Sequence, residues 1–76
     1  MIIYGSQLCP DCVQCLADLD QAVIAYEYRD FGSDLRALKE FLAIRDSNPL
    51  FEQVKKNGKI GIPCIVADDG SVRLTW

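Results

Sequence analysis

The strongest constraint on this chain is the way its strand-forming runs are joined. Ile2-Ile3-Tyr4 and the alternating segment from Ala25 to Phe31 are separated by a helical stretch. Two neighbouring strands joined by a helix lie parallel, with a right-handed crossover. Cys64-Ile65-Val66-Ala67 and the run from Val72 to Trp76 are separated only by Asp68-Asp69-Gly70-Ser71. Asp-Gly suits the positive φ angles of a hairpin turn, so this second pair is antiparallel. A chain that needs both connections predicts an α/β fold, a mixed four-stranded sheet flanked by helices. With 76 residues there is room for one domain, 1–76, and not for two.

Between the strands, proline and glycine mark the helix limits. Pro10 suits a first helical position, where its missing N–H has no partner to lose. Cys12, Leu16, Leu19 and Val23 then form one apolar stripe, predicting a helix from about Pro10 to about Ala22. In the second strand Tyr26 and Tyr28 point one way, and Glu27 and Arg29 the other, as on a half-buried edge strand. Ser33 is the expected cap of a second helix, whose buried face is read as Leu35, Leu38, Phe41 and Leu42. Asn48 caps a third helical piece that starts at Pro49 and stops at Gly58. The predicted order is β-α-β-α-α-β-β.

The chemistry rests on sulfur. The chain has four cysteines, Cys9, Cys12, Cys15 and Cys64, and no histidine. The usual general base and the commonest metal ligand are therefore missing. Cys9-Pro10-Asp11-Cys12 lies where the first strand passes into the first helix. Cys9 precedes the helix, where free N–H groups and the helix dipole favour an anion. The attacking species in disulfide exchange is the thiolate, so Cys9 is the expected nucleophile. Cys12, a turn deeper on the stripe, is the expected resolving thiol. Asp11 sits awkwardly, since a carboxylate beside Cys9 opposes thiolate formation while serving as an N-terminal charge for the helix. Cys15 flanks the stripe one turn later and is read as helix packing.

Together these residues resemble the glutaredoxin family of the thioredoxin fold, over nearly the whole chain. Cys9-Pro10-Asp11-Cys12 matches three of the four positions of that family's usual Cys-Pro-Tyr-Cys. Gly61-Ile62-Pro63 has the form of its Thr-Val-Pro loop. The resemblance implies that Pro63 is cis and faces Cys9, and that the Ile62 backbone pairs with an extended thiol substrate. It also places Cys64 near Cys9, as pocket lining, a third redox thiol or a plain buried strand residue. It implies a disulfide oxidoreductase acting on protein or glutathione mixed disulfides, with glutathione as a candidate reductant and no metal. Two departures stand out. Ser6 occupies the position where the family usually carries a lysine or arginine, and no Gly-Gly-Asp element or last helix follows the hairpin. Lys59 is a candidate to replace part of the missing positive charge.

A rival reading comes from the same cysteines. Cys9, Cys12, Cys15 and Cys64 give four thiolates, a set that suits zinc or an iron–sulfur cluster. Other classes are disfavoured. The net charge is −3, which argues against nucleic acid and anionic membrane surfaces as partners. No apolar run approaches the roughly 20 residues that cross a bilayer, and the opening Met1-Ile2-Ile3-Tyr4 lacks the basic flank of a signal peptide. The expected location is the cytoplasm.

Overall fold

A computed structural model describes residues 1–76. Its sheet has four strands in the order β2-β1-β3-β4. These are β1 (Ile2–Gly5), β2 (Glu27–Asp30), β3 (Cys64–Val66) and β4 (Val72–Arg73). β1 pairs with β2 in parallel, Ile3 opposite Tyr28, and with β3 antiparallel, Ile3 opposite Ile65. The mixed sheet and the predicted element order are both present. α1 (Pro10–Gln21) links the parallel pair, and α2 (Leu35–Ser47) follows β2. The third helical piece divides into a 3-10 turn, Pro49–Phe51, and α3, Glu52–Lys56. No helix is long and apolar enough to cross a membrane.

Side chains alternate across the sheet and build two cores. Ile3 and Ile65 face α1 and pack with Cys15 and Leu19. Tyr4 and Cys64, one residue along in their strands, face the other way and pack with Phe41 of α2 and Phe51. Tyr26 and Tyr28 join the α1 core, while Arg29 reaches across to α2 and places two nitrogens on the Glu40 carboxylate at 3.1 and 2.8 Å. The molecule is thus three layers, α1, sheet and α2 with α3.

Several local expectations need correcting. Asp34, not Ser33, caps α2, its carboxylate accepting the Arg36 N–H at 2.9 Å. Ser33 instead closes the turn after β2, donating its hydroxyl to the Asp30 carbonyl. The buried face of α2 is Ala37 and Phe41, set by packing against Tyr4, Phe51 and Cys64, which leaves Leu35 67% exposed and Leu42 on the surface. Val23 is outside the α1 stripe because the helix has already ended. It has φ +57 and is 90% exposed. The Ile24 N–H bonds the Leu19 carbonyl and the Val23 N–H bonds that of Asp20, a left-handed helix stop made without glycine. Cys15 is buried with Cys12 and Leu19, as its reading as helix packing expects, and Leu16 is half-buried. The hairpin is also shorter than read: β4 ends at Arg73, and Leu74, Thr75 and Trp76 run on beside α1.

Candidate functional site

The loop from Gly5 to Cys9 carries the sulfur site, and Ser6 shapes it. The Ser6 carbonyl accepts the Cys9 N–H at 3.0 Å and its hydroxyl accepts the Leu8 N–H at 3.1 Å. This turn sets Cys9 in extended backbone, φ −98 and ψ 114, as the N-cap of α1. The Cys12 N–H then donates to Cys9 Sγ at 3.3 Å. Pro10 follows at the first helical position, as its ring geometry favours. Cys9 is half-buried, whereas Cys12 is fully enclosed.

Gly5 explains how Cys12 fits under the sheet. A Cβ built at Gly5 would lie 2.8 Å from Cys12 Sγ and 3.6 Å from Cε1 of Tyr28. The sulfur and the tyrosine ring occupy the space a side chain would need. Burial, then the hydrogen bond to Cys9, push the Cys12 thiol up to about 12, against a smaller opposing pull from the Ser6 backbone. Cys12 therefore keeps its proton at neutral pH. Burial, and secondarily Asp18, also raise Cys15. All four cysteines are free thiols.

The predicted site residues divide into those the fold brings together and those it separates. Cys9, Lys59 and Ile62 line one groove of about 600 Å³, with Leu8, Val54 and Ile60. Pro63 lies in a second groove of about 300 Å³, with Asp11, Asp18 and Trp76. Ile62 and Leu74 border both. The Ile62–Pro63 peptide bond is cis. Arg45 fixes the loop in front of it, donating to the carbonyls of Ile60 and Lys59 at 2.8 Å each.

Cys64 does not reach the site. It points away from α1 into the aromatic core, fully buried, and burial alone pushes its thiol up to about 11. The expectation that it lines the substrate pocket is corrected by the two-residue period of β3: once Ile65 faces α1, Cys64 cannot. The same geometry removes the fourth ligand from the four-thiolate reading. Cys9 caps α1, Cys12 and Cys15 lie within it, Cys64 faces the opposite layer, and no three ligating side chains converge.

Sequence reasoning missed Leu8, 93% exposed beside the nucleophile position, and Tyr28, whose buried hydroxyl has no hydrogen-bond partner. Leu8 carried a signal, an apolar residue stranded in a loop. Tyr28 carried none, because its neighbours are set by the strand register.

Fold and site define a compact α/β protein with a thiol pair at the start of a helix. No protein-family model matches the chain, and no solved structure matches it. It is 34% identical over 73 residues to a protein of Haemophilus influenzae described as "Uncharacterized protein", the match covering 96% of this chain and 85% of that one. The chain belongs to the same family as that protein.

Proposed function

We propose that the protein is a thiol–disulfide oxidoreductase of the glutaredoxin type on a thioredoxin-like fold. The observation that carries this reading is the capping position of Cys9: half-buried, its sulfur receiving the Cys12 N–H, with the Cys12 thiol enclosed behind it. Helix N-terminal N–H groups favour a thiolate there, and the thiolate is the competent nucleophile.

In the proposed cycle the Cys9 thiolate attacks one sulfur of a substrate disulfide. A Cys9–substrate disulfide forms and the other substrate sulfur leaves as a thiolate. Cys12 loses its proton and attacks Cys9 Sγ, forming Cys9–Cys12 and releasing the second substrate thiol. Two electrons pass to the substrate, and its two sulfurs end as thiols. A thiol reductant such as glutathione, or a protein dithiol, resets the pair.

The test is differential alkylation read by mass across reduced-to-oxidised glutathione ratios. The expected result is one two-electron transition confined to Cys9 and Cys12, with Cys64 unmodified until the protein unfolds. Exchange no faster than that of free cysteine would end the proposal.

A further inference from the structure

The grooves on either side of Ile62 differ in chemistry. Cys9 opens into the larger one, where Leu8, Val54, Ile60, Ile62 and Leu74 supply the walls and Lys59 is the sole charge. Leu8 and Ile60 are exposed large apolar residues there, 93% and 53%. The smaller groove holds two carboxylates, Asp11 and Asp18, with Gln14 and Trp76 beside them. Neither carboxylate has a cationic partner. Asp18 accepts only from the Gln14 amide, at 2.8 Å, and the ion pairs of the molecule lie elsewhere. The nearby cation Arg73 lies 5.9 Å over the Trp76 ring instead. The two grooves share Ile62 and Leu74, so one extended occupant passing Ile62 meets an apolar wall on one side and negative charge on the other.

We infer that the disulfide attacked by Cys9 belongs to an extended polypeptide with an apolar side chain on one flank of its half-cystine and a basic side chain on the other. This rests on the redox reading above and names its substrate class. An apolar side chain leaves water for the walls formed by Leu8 and Ile60. A lysine or arginine finds Asp11 and Asp18, and charge pairing of this kind selects partners and speeds encounter. A small anionic thiol such as glutathione fits poorly. It has two carboxylates for the single Lys59, and the adjoining groove repels it.

The experiment is single-turnover release of thionitrobenzoate by the reduced protein from four mixed disulfides of that chromophore. Their thiols are mercaptoethanol, glutathione, a peptide with leucine and arginine flanking its cysteine, and the same peptide with serine and aspartate there. The leucine–arginine peptide is expected to react at least about tenfold faster than glutathione and than the serine–aspartate peptide. The ratio is expected to shrink in high salt, where exposed charges are screened. Asp18→Lys and Ile60→Asp should each lower the ratio of the leucine–arginine peptide to glutathione. A ratio cancels changes in Cys9 reactivity, and both positions are on the surface, which limits the effect on folding. Glutathione reacting as fast as that peptide, while the mercaptoethanol compound reacts rapidly, overturns this substrate class and leaves the redox reading standing. No compound reacting faster with the protein than with free cysteine overturns both.

Discussion

The two faces of the sheet are built from the same strands and do different work. On the α2 face, Phe41 stacks on Phe31 at 5.3 Å between centroids and meets Phe51 edge-on at 6.0 Å. Tyr4, on that face, gives its hydroxyl to Glu40 at 3.1 Å. On the α1 face the core is largely aliphatic, Ile3, Leu19 and Ile65 around Cys15, and one of its tyrosines, Tyr28, has an enclosed hydroxyl with no partner. Each face also buries thiols of raised pKa, Cys12 and Cys15 on one and Cys64 on the other. Cys64 lies among aromatic rings, whereas Cys12 lies beside a half-exposed Cys9. The lesson is that burial raises a thiol on either face, and the α1 face alone sets a half-exposed cysteine beside one.

The sharpest break of this comparison exchanges Cys12 and Cys64, one at a time, for alanine. Cys12→Ala is expected to abolish resolution, so that a Cys9–substrate disulfide accumulates in the mass spectrum, while Cys64→Ala keeps turnover. Phe41→Ala should cost about 3–5 kcal/mol in urea denaturation, a large share of the stability of so small a domain. Turnover lost in step with unfolding would show that the aromatic face acts only through the fold.

Alkali should affect both faces. The unfolded chain releases its thiol protons near pH 9, whereas folded Cys64 and Cys12 hold theirs to about 11 and about 12. Above pH 9 the folded state therefore binds more protons than the unfolded one, and stability falls as pH rises. The full contribution is present below pH 9 and is lost as pH climbs through the folded values. Urea midpoints measured from pH 8 to 11 should fall, and fall less steeply in Cys64→Ala.

The two tyrosines give opposite signs. Tyr28→Phe removes an unpaired buried hydroxyl and should stabilise by about 1 kcal/mol, while Tyr4→Phe breaks a bond to Glu40 and should destabilise by about as much. Thermal melts of the two variants side by side would decide it. Equal shifts of one sign would erase the distinction between the faces.

The smallest effect concerns how α1 ends. α3 closes with the same hydrogen-bond pattern, Lys59 N–H to Val54 and Gly58 N–H to Lys55, but with glycine at φ +68 where α1 has Val23. A β-branched residue pays for left-handed backbone that glycine enters freely. Val23→Gly should raise stability by about 1 kcal/mol, read from the denaturation midpoint.

These two helix ends also show what was legible in the sequence. Gly58 announced its stop and Val23 hid one, so the first helix was read with an extra apolar contact. Pro10 and Asn48 marked helix starts correctly, because each acts through its own backbone or side chain. Element order was legible for the same reason, being set by local turn chemistry. Facing was harder. Whether Cys64 points at α1 or away depends on its register with Tyr4, a contact 60 residues distant in the chain, to which local pattern is blind. Ser33 lost the cap to its neighbour Asp34, and the face of α2 that meets the sheet is chosen by Tyr4, Phe51 and Cys64, so Leu35 and Leu42 lie outside the core. The thiol pair was readable from spacing, but the loop wall around it was not. Arg45 and Ile60 meet only in three dimensions.

Gly5 carries a consequence for inheritance. Cys12 Sγ fills the space where a side chain at position 5 would begin. Among descendants of this chain, the two positions are therefore not free to drift separately. A lineage that keeps the sulfur is held to glycine four residues before Cys9, and a lineage that loses it to a smaller group gains room there for alanine. Aligned relatives should show these positions changing as a pair, so a glycine with no chemistry of its own marks which members retain the second thiol.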